Sequence, residues 1–376
     1  MTGFLLVVIT RELPVVSGTT DKIINPDKTD ISFAWPSQGH AVIGTLDGGI
    51  KASYGGDNQV PTASMAKVIT ALVVLDAKSI DDNSVITMTQ NDVELLRQTI
   101  ANNGSNLYVE VGEQLTLRQM LEALMLPSAN NISDSLVIWA FGSQENYRSV
   151  AKEWLQKNNL HHTSIGADAS GLDPGTTSST SDLFEIARLA LRNQTLREIV
   201  ATESAVFPIT GIVQNTNSLL RDGAGYIGVK TGNSIEAGSC LMFASRHLID
   251  GAETTIIGVL AGQEYGNVFN VARTLNQSAL NNLTTHKTPA GTVVGSYTVP
   301  WDEKINTLTD ADLTSLIWRD EDPQIEVSLD DLAVPTYGGQ VGTAKIGQST
   351  ADVNLLGNIG KPDLWWRLTH IDQLQW

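Results

Sequence analysis

The chain has 376 residues, 41% of them hydrophobic and 17% charged, enough for two folded domains with a large core and the wrong balance for a disordered protein. Its 24 basic and 41 acidic residues leave a net charge of −17, which argues against a nucleic-acid partner because phosphates would be repelled at long range. One cysteine, Cys240, excludes an intrachain disulfide, and six scattered histidines show no metal-ligand spacing, so no metal and no cofactor is expected.

The chain opens with an apolar run, Phe4 to Ile9, that is too short to span a bilayer and has no basic residues before it. It reads either as the remnant of an export or anchor segment or as a packing arm. Thr10 to Pro36 is polar, is broken by Pro14, Gly18 and Pro26, and reads as a linker or wrapped arm. Ala41–Leu46 and Ile50–Ser53 flank Asp47-Gly48-Gly49, a hairpin signal. After Pro61-Thr62-Ala63, the apolar positions Met65, Ile69, Leu72, Val73 and Leu75 predict a helix buried on nearly every side. Further helices are predicted from Leu117 to about Leu126, stopped by Pro127, from Asn131 through Trp139, and from Asp182 to Arg192 with Ser181 as cap. Strands follow at Tyr226–Thr231, Ser239–Ala244 and Thr254–Leu260, then a helix from about Asn267 to Leu283. From Thr284 the pattern changes to short alternating runs, among them Val293–Val299, Val341–Ile346 and Trp365–Leu368, which predicts a small all-β module ending in a packed strand. The expected organisation is an arm over 1–36, a catalytic domain over 37–283 and a β-rich domain over 284–376.

Three short motifs carry the chemistry. Ser64-Met65-Ala66-Lys67 places a lysine one helical turn from a serine, at a helix N-terminus where free N–H groups face whatever the serine attacks. Ser149-Val150-Ala151-Lys152 has the same form but lies in a polar helix, so context favours Ser64. A lysine acts as a base only when neutral, and at an ordinary pKa that form lies roughly 4–5 kcal/mol uphill at pH 7. Burial and a second cation both lower this cost, and Lys230 is the candidate cation. Ser128-Ala129-Asn130 offers a hydroxyl to relay a proton and an amide to hold a backbone. Taken alone, it reads better as a helix N-cap, for which Ser and Asn are both common. Lys230-Thr231-Gly232 ends a strand with a cation, a hydroxyl and a residue that lets a substrate backbone approach closely. In this order they form the kit of an enzyme that acylates itself on serine without a histidine.

On these motifs, together with Asp168-Ala169-Ser170-Gly171-Leu172, Ser179-Thr180-Ser181-Asp182-Leu183 and Ala237-Gly238-Ser239-Cys240-Leu241, the chain from about Ser32 to Leu283 resembles the serine D-Ala-D-Ala carboxypeptidases of the low-molecular-weight penicillin-binding proteins. The resemblance implies an α+β fold of the β-lactamase and transpeptidase type, an antiparallel sheet flanked by helices with a helical subdomain, followed by a small all-β domain. It implies Ser64 as nucleophile, Lys67 as base, Ser128 as proton relay, Asn130, Lys230, Thr231 and Gly232 as substrate-binding residues, and the backbone N–H groups of Ser64 and Asn233 as oxyanion hole. The implied partners are peptidoglycan stem peptides ending in D-Ala-D-Ala and β-lactams as covalent inhibitors. The implied location is outside the bacterial cytoplasm, with association to membrane or wall left open. The family's substrate-anchoring arginine has no clear counterpart: Arg246 is the candidate and Arg221 a weaker one. A class A-like β-lactamase is the alternative reading, against which none of Glu153, Glu185, Glu198 and Glu203 sits in a suitable loop. A non-catalytic wall-binding protein on the same fold is the second alternative.

Overall fold

Two apolar stretches about 200 residues apart build the sheet that carries the site. In the computed structural model, which describes residues 11–77, 84–302 and 304–374, β1 (His40–Thr45) and β2 (Gly49–Tyr54) form a hairpin around Asp47-Gly48-Gly49. Gly49 has φ +75°, a conformation that favours glycine at this turn. β3 (Tyr226–Ser234), β4 (Gly238–Ile249) and β5 (Ala252–Gln263) complete a five-stranded sheet in the order β3-β4-β5-β1-β2. The pairings β3 with β4 and β5 with β1 are antiparallel. Leu241–Ala244 and Ile256–Ala261 are buried without alternation, as strands covered on both faces must be.

The helices follow from their patterns and caps. α1 (Ala66–Ala77) is buried from Ala66 through Val74, as its all-round apolar sequence requires. α2 (Gln90–Ala101) starts at a capping box of Thr89 and Asp92, and α3 (Leu117–Met125) at one of Thr116 and Gln119. α4 (Asn130–Phe141), α5 (Gln144–Lys157), α6 (Thr180–Arg192) and α7 (Gln194–Val200) follow. The cap of α6 is Ser179, not Ser181. A capping oxygen must accept from an N–H two or three residues ahead, and Ser179 Oγ accepts from Asp182 N at 3.2 Å, whereas Ser181 already lies inside the helix. α1 packs against α3, α4, α5 and α6, and α6 packs on β1 and β2. α8 (Val268–Asn282) lies against β4, where Asn276 Oδ1 accepts from Ser245 Oγ at 2.6 Å.

Contacts group the chain into two units. One holds Ser32–Leu248 and Glu253–Asn281, and the other holds the chain before Ser32, Ile249–Ala252 and the chain from Asn282. The second unit is built on a six-stranded antiparallel sheet with a core of Val294, Tyr297, Val341, Val353 and Ile359. The arm contributes to it: Gly18–Thr20 pairs with Val293–Tyr297, and Val16 bridges to Leu332. The expected strand at Trp365–Leu368 is instead helix α9 (Leu364–Thr369). Asp363 Oδ1 caps it by accepting from Trp366 N at 2.7 Å, and Trp366 stacks on His370 one turn later. A four-residue segment with three apolar residues is too short for periodicity to separate strand from helix. The Phe4–Ile9 run and Trp376 lie outside the described residues. Among the described residues no helix is long and apolar enough to cross a membrane.

Candidate active site

Ser64 sits where the chain turns into α1. Ala63–Met65 form a single 3-10 turn, and Ala63 holds φ +45°. The strained entry stands on the loop 168–173. Gly171, at φ +80°, lies so close that a Cβ there would fall 2.1 Å from Ala63 O and 2.7 Å from Ala66 Cβ. Gly171→Ala is therefore expected to cost about 2–5 kcal/mol, from left-handed strain plus overpacking against backbone, read as a lower denaturant midpoint. An unchanged midpoint would mean that the loop does not support this turn.

Lys67, fully buried on the first turn of α1, donates to Ser64 Oγ at 2.8 Å, Asn130 Oδ1 at 2.7 Å and Ser170 O at 3.0 Å. Burial brings its pKa down to about 7, against the opposing pull of Asp168 and Asp134. Lys230, also buried, is held well below the ordinary lysine range by burial and then by the charge of Lys67. Desolvation is thus the largest influence on both, and the charges that act on Lys67 are those of the two carboxylates, not that of Lys230. A lysine titrating near 7 presents its neutral form at almost no cost at neutral pH.

Neither Ser128 nor Asn130 caps α4 with its side chain. The N-cap is Ala129, which has no side-chain acceptor, while Asn130 turns inward to Lys67. Ser128 adopts φ +64°, and its buried Oγ has no hydrogen-bond partner among the described residues. A buried, unpartnered hydroxyl lining the same cleft as Ser64 suits a proton relay. From the facing strand β3, Lys230 Nζ donates to Thr231 O at 3.0 Å. A Cβ on Gly232 would lie 3.1 Å from Ser64 N, so a larger residue would crowd that N–H.

Ser64, Ser128, Thr216, Thr231, Asn233 and Tyr265 line one cleft of about 450 Å³, with Val268 and Phe269 as an apolar wall. No carboxylate and no arginine lines it among the described residues. A larger hollow of about 650 Å³ opens at the Tyr226 end of β3, but among the described residues no serine, cysteine or lysine lines it and its Arg273 is already paired with Asp222.

Three motifs spread along the chain from Ser64 to Gly232 thus meet around one serine. A family model described as D-alanyl-D-alanine carboxypeptidase, peptidase S11, matches residues 37–259. The chain belongs to this family. A D-alanyl-D-alanine carboxypeptidase of Streptomyces sp. strain K15 is 32% identical over 221 residues, 54% of this chain and 74% of that protein. One from Mycobacterium tuberculosis is 34% identical over 51% of this chain and 64% of its own length, and one from Bacillus subtilis 26% identical over 50% and 49%. The last two are thus matched over about half to two thirds of their lengths. The Streptomyces K15 DD-transpeptidase structure superposes with a TM-score of 0.58 at 25% identity, covering 68% of this chain and 99% of that one. Penicillin-binding protein 5 from Haemophilus influenzae shares the fold with a TM-score of 0.64 at 19% identity, over 89% of this chain and 99% of that one. The α+β fold is that of the transpeptidases and penicillin-binding proteins.

In this carboxypeptidase family member several cleft residues had no sequence signal. Thr216 Oγ1 lies 2.7 Å from Thr231 Oγ1, and Tyr265 donates to Ser234 O at 2.5 Å. Both sit in loops whose approach to β3 is set by the tertiary fold. Neither candidate arginine reaches the cleft. Arg246 is paired with Glu253, and Arg221 donates to Asn215 O at 3.3 Å. Ser149, the rival serine, is exposed and donates to Glu145 O on its own helix.

Proposed function

We propose that this chain is a serine D-Ala-D-Ala carboxypeptidase acting on peptidoglycan stem peptides. Neutral Lys67 takes the Ser64 proton, and Ser64 Oγ attacks the carbonyl of the penultimate D-alanine. The N–H groups of Ser64 and Asn233 stabilise the oxyanion, and Ser128 passes a proton to the departing amine. Asn130 holds the substrate backbone. Lys230 and Thr231 face the terminal carboxylate, and Gly232 admits the strand-like peptide. Water then hydrolyses the acyl-enzyme. The observation that carries the reading is a buried lysine, depressed to about 7, 2.8 Å from a serine hydroxyl in an open cleft. β-Lactams present the same carbonyl and carboxylate, so they are the proposed covalent inhibitors. We place the reaction outside the cytoplasm, where this polymer lies, and assign the C-terminal β-rich unit no part in the chemistry.

The β-lactamase alternative needs a dedicated base for the deacylating water. Glu185 pairs with Arg188, Glu198 with Arg118, and neither Glu153 nor Glu203 lines the cleft. An opened lactam keeps its leaving group tethered over the face from which water attacks, whereas a released D-alanine diffuses away. Intact-mass analysis with penicillin should therefore show a burst of one equivalent and a long-lived adduct, alongside steady release of D-alanine from a D-Ala-D-Ala peptide. Rapid penicillin turnover with no accumulating adduct would identify a β-lactamase. The absence of both adduct and peptide turnover would leave the non-catalytic reading.

A further inference from the structure

More negative charge surrounds Lys67 than its hydrogen bonds reveal. Asn130 on α4 accepts from Lys67 Nζ, and Asp134 follows four residues later, one turn along the same face. Asp134 is partly buried, and the hydrogen bond it accepts comes from a neutral donor, Gln144 Nε2, at 2.6 Å. Asp168 is held quite differently, by the backbone N–H groups of Ser170, Gly171 and Asp173 at 2.6, 2.7 and 2.6 Å. Both carboxylates act on Lys67.

We propose that Asp134 is a positioning residue which, through its charge, sets the pH range over which Lys67 becomes a base. The inference rests on the reading of Lys67 as the general base. Burial and then the charge of Asp168 push the Asp134 carboxyl up to about 6, while Gln144 and Lys67 oppose the rise. The groups that face it are Lys67 from α1, Gln144 from α5 and Asp168 from the loop. Tyr147 on α5 is engaged by Thr70. α2 and α3 also pack on α4. The buried acid of α2, Asp92, is engaged by Thr89, and α3 buries only apolar side chains. The sign follows directly. Above about pH 6 the ionised Asp134 favours the ammonium form of Lys67 and delays its deprotonation. Below that the carboxyl is neutral and the delay disappears. The two groups titrate as a coupled pair, and the acid limb of acylation is stretched over a wider range than one group would give.

The test is the pH profile of acylation by a penicillin, measured on the full chain and on Asp134→Asn. The two profiles should coincide at pH 5 and again above pH 9. Between pH 6 and 7 the variant should be roughly two- to fivefold faster. A structural role would instead slow the variant at every pH, and parallel or coincident profiles over a normal acid limb would overturn the assignment of Asp134 alone. A wild-type profile with no acid limb would overturn the reading of Lys67 as base, and this inference with it. Gln144→Leu provides the second measurement should Asp134→Asn fail to fold. Loss of the amide donor leaves Asp134 neutral to higher pH, so its profile should move toward that of a neutral side chain between pH 6 and 7. A shift the other way would overturn the proposal.

Discussion

Ser64→Ala should abolish covalent labelling by penicillin, with no mass shift at any time of incubation, while Ser149→Ala should label at the wild-type rate. The reason is geometric. Ser64 Oγ is bonded to a buried lysine at 2.8 Å and opens on the cleft, whereas Ser149 is exposed and spends its proton on its own helix. Removing a nucleophile leaves no alternative route to an acyl-enzyme, so the loss should exceed about 10³-fold. The fold should survive, because Ser64 is only partly buried and its loss leaves Lys67 two other acceptors, Asn130 and Ser170. Labelling that persists in Ser64→Ala, or that vanishes in Ser149→Ala, would move the nucleophile elsewhere.

Lys67→Arg should have the second-largest effect. Wild-type acylation should rise with pH through a midpoint near 7, because burial brings Lys67 to about that value and only the neutral amine accepts the Ser64 proton. The direction is fixed by the charge type: the ammonium form is favoured below 7, so activity falls on acidification. Arginine retains its proton throughout this range, so the variant should acylate at least about a thousandfold more slowly at pH 7, with no recovery by pH 9. Because the larger guanidinium must fit a fully buried site, Lys67→Met serves as a smaller companion, with circular dichroism checking both. Near-normal acylation in either folded variant would place the base on another residue.

Much of the candidate site is legible in the sequence, and the reason is local. A serine and lysine three apart on a helix share a face by helical geometry alone, and an all-apolar helix such as α1 has to run through an interior. The β3 strand was visible in the same way, but its end was not: the strand runs on past Gly232 to Ser234, because Gly232, Asn233 and Ser234 pair with Cys240, Ser239 and Gly238 of β4. The β1–β2 hairpin was equally plain from Asp47-Gly48-Gly49. The error at Trp365–Leu368 has the opposite cause. That segment is shorter than two helical turns, and the deciding contacts, the Asp363 cap and the Trp366–His370 stack, are contacts between side chain and backbone or ring.

The amino-acid sequence by itself determined the candidate groups: a serine, two lysines, a second hydroxyl and an amide, in the order of a serine-acylating enzyme. Only the tertiary structure decided their strengths. Whether Lys67 is neutral at pH 7 depends on desolvation and on Asp134 and Asp168, and so on how α1, α4 and the 168–173 loop pack. Whether an arginine faces the cleft depends on where β4 places Arg246, beside Glu253 and away from Thr231. Thr216 and Tyr265 reach the site through folds of chain that no periodicity encodes. Hydrogen bonding between neighbours on one helix is set by spacing, while charge, burial and shape at a shared cleft are sums over segments distant in sequence, and those sums exist only once the chain has folded.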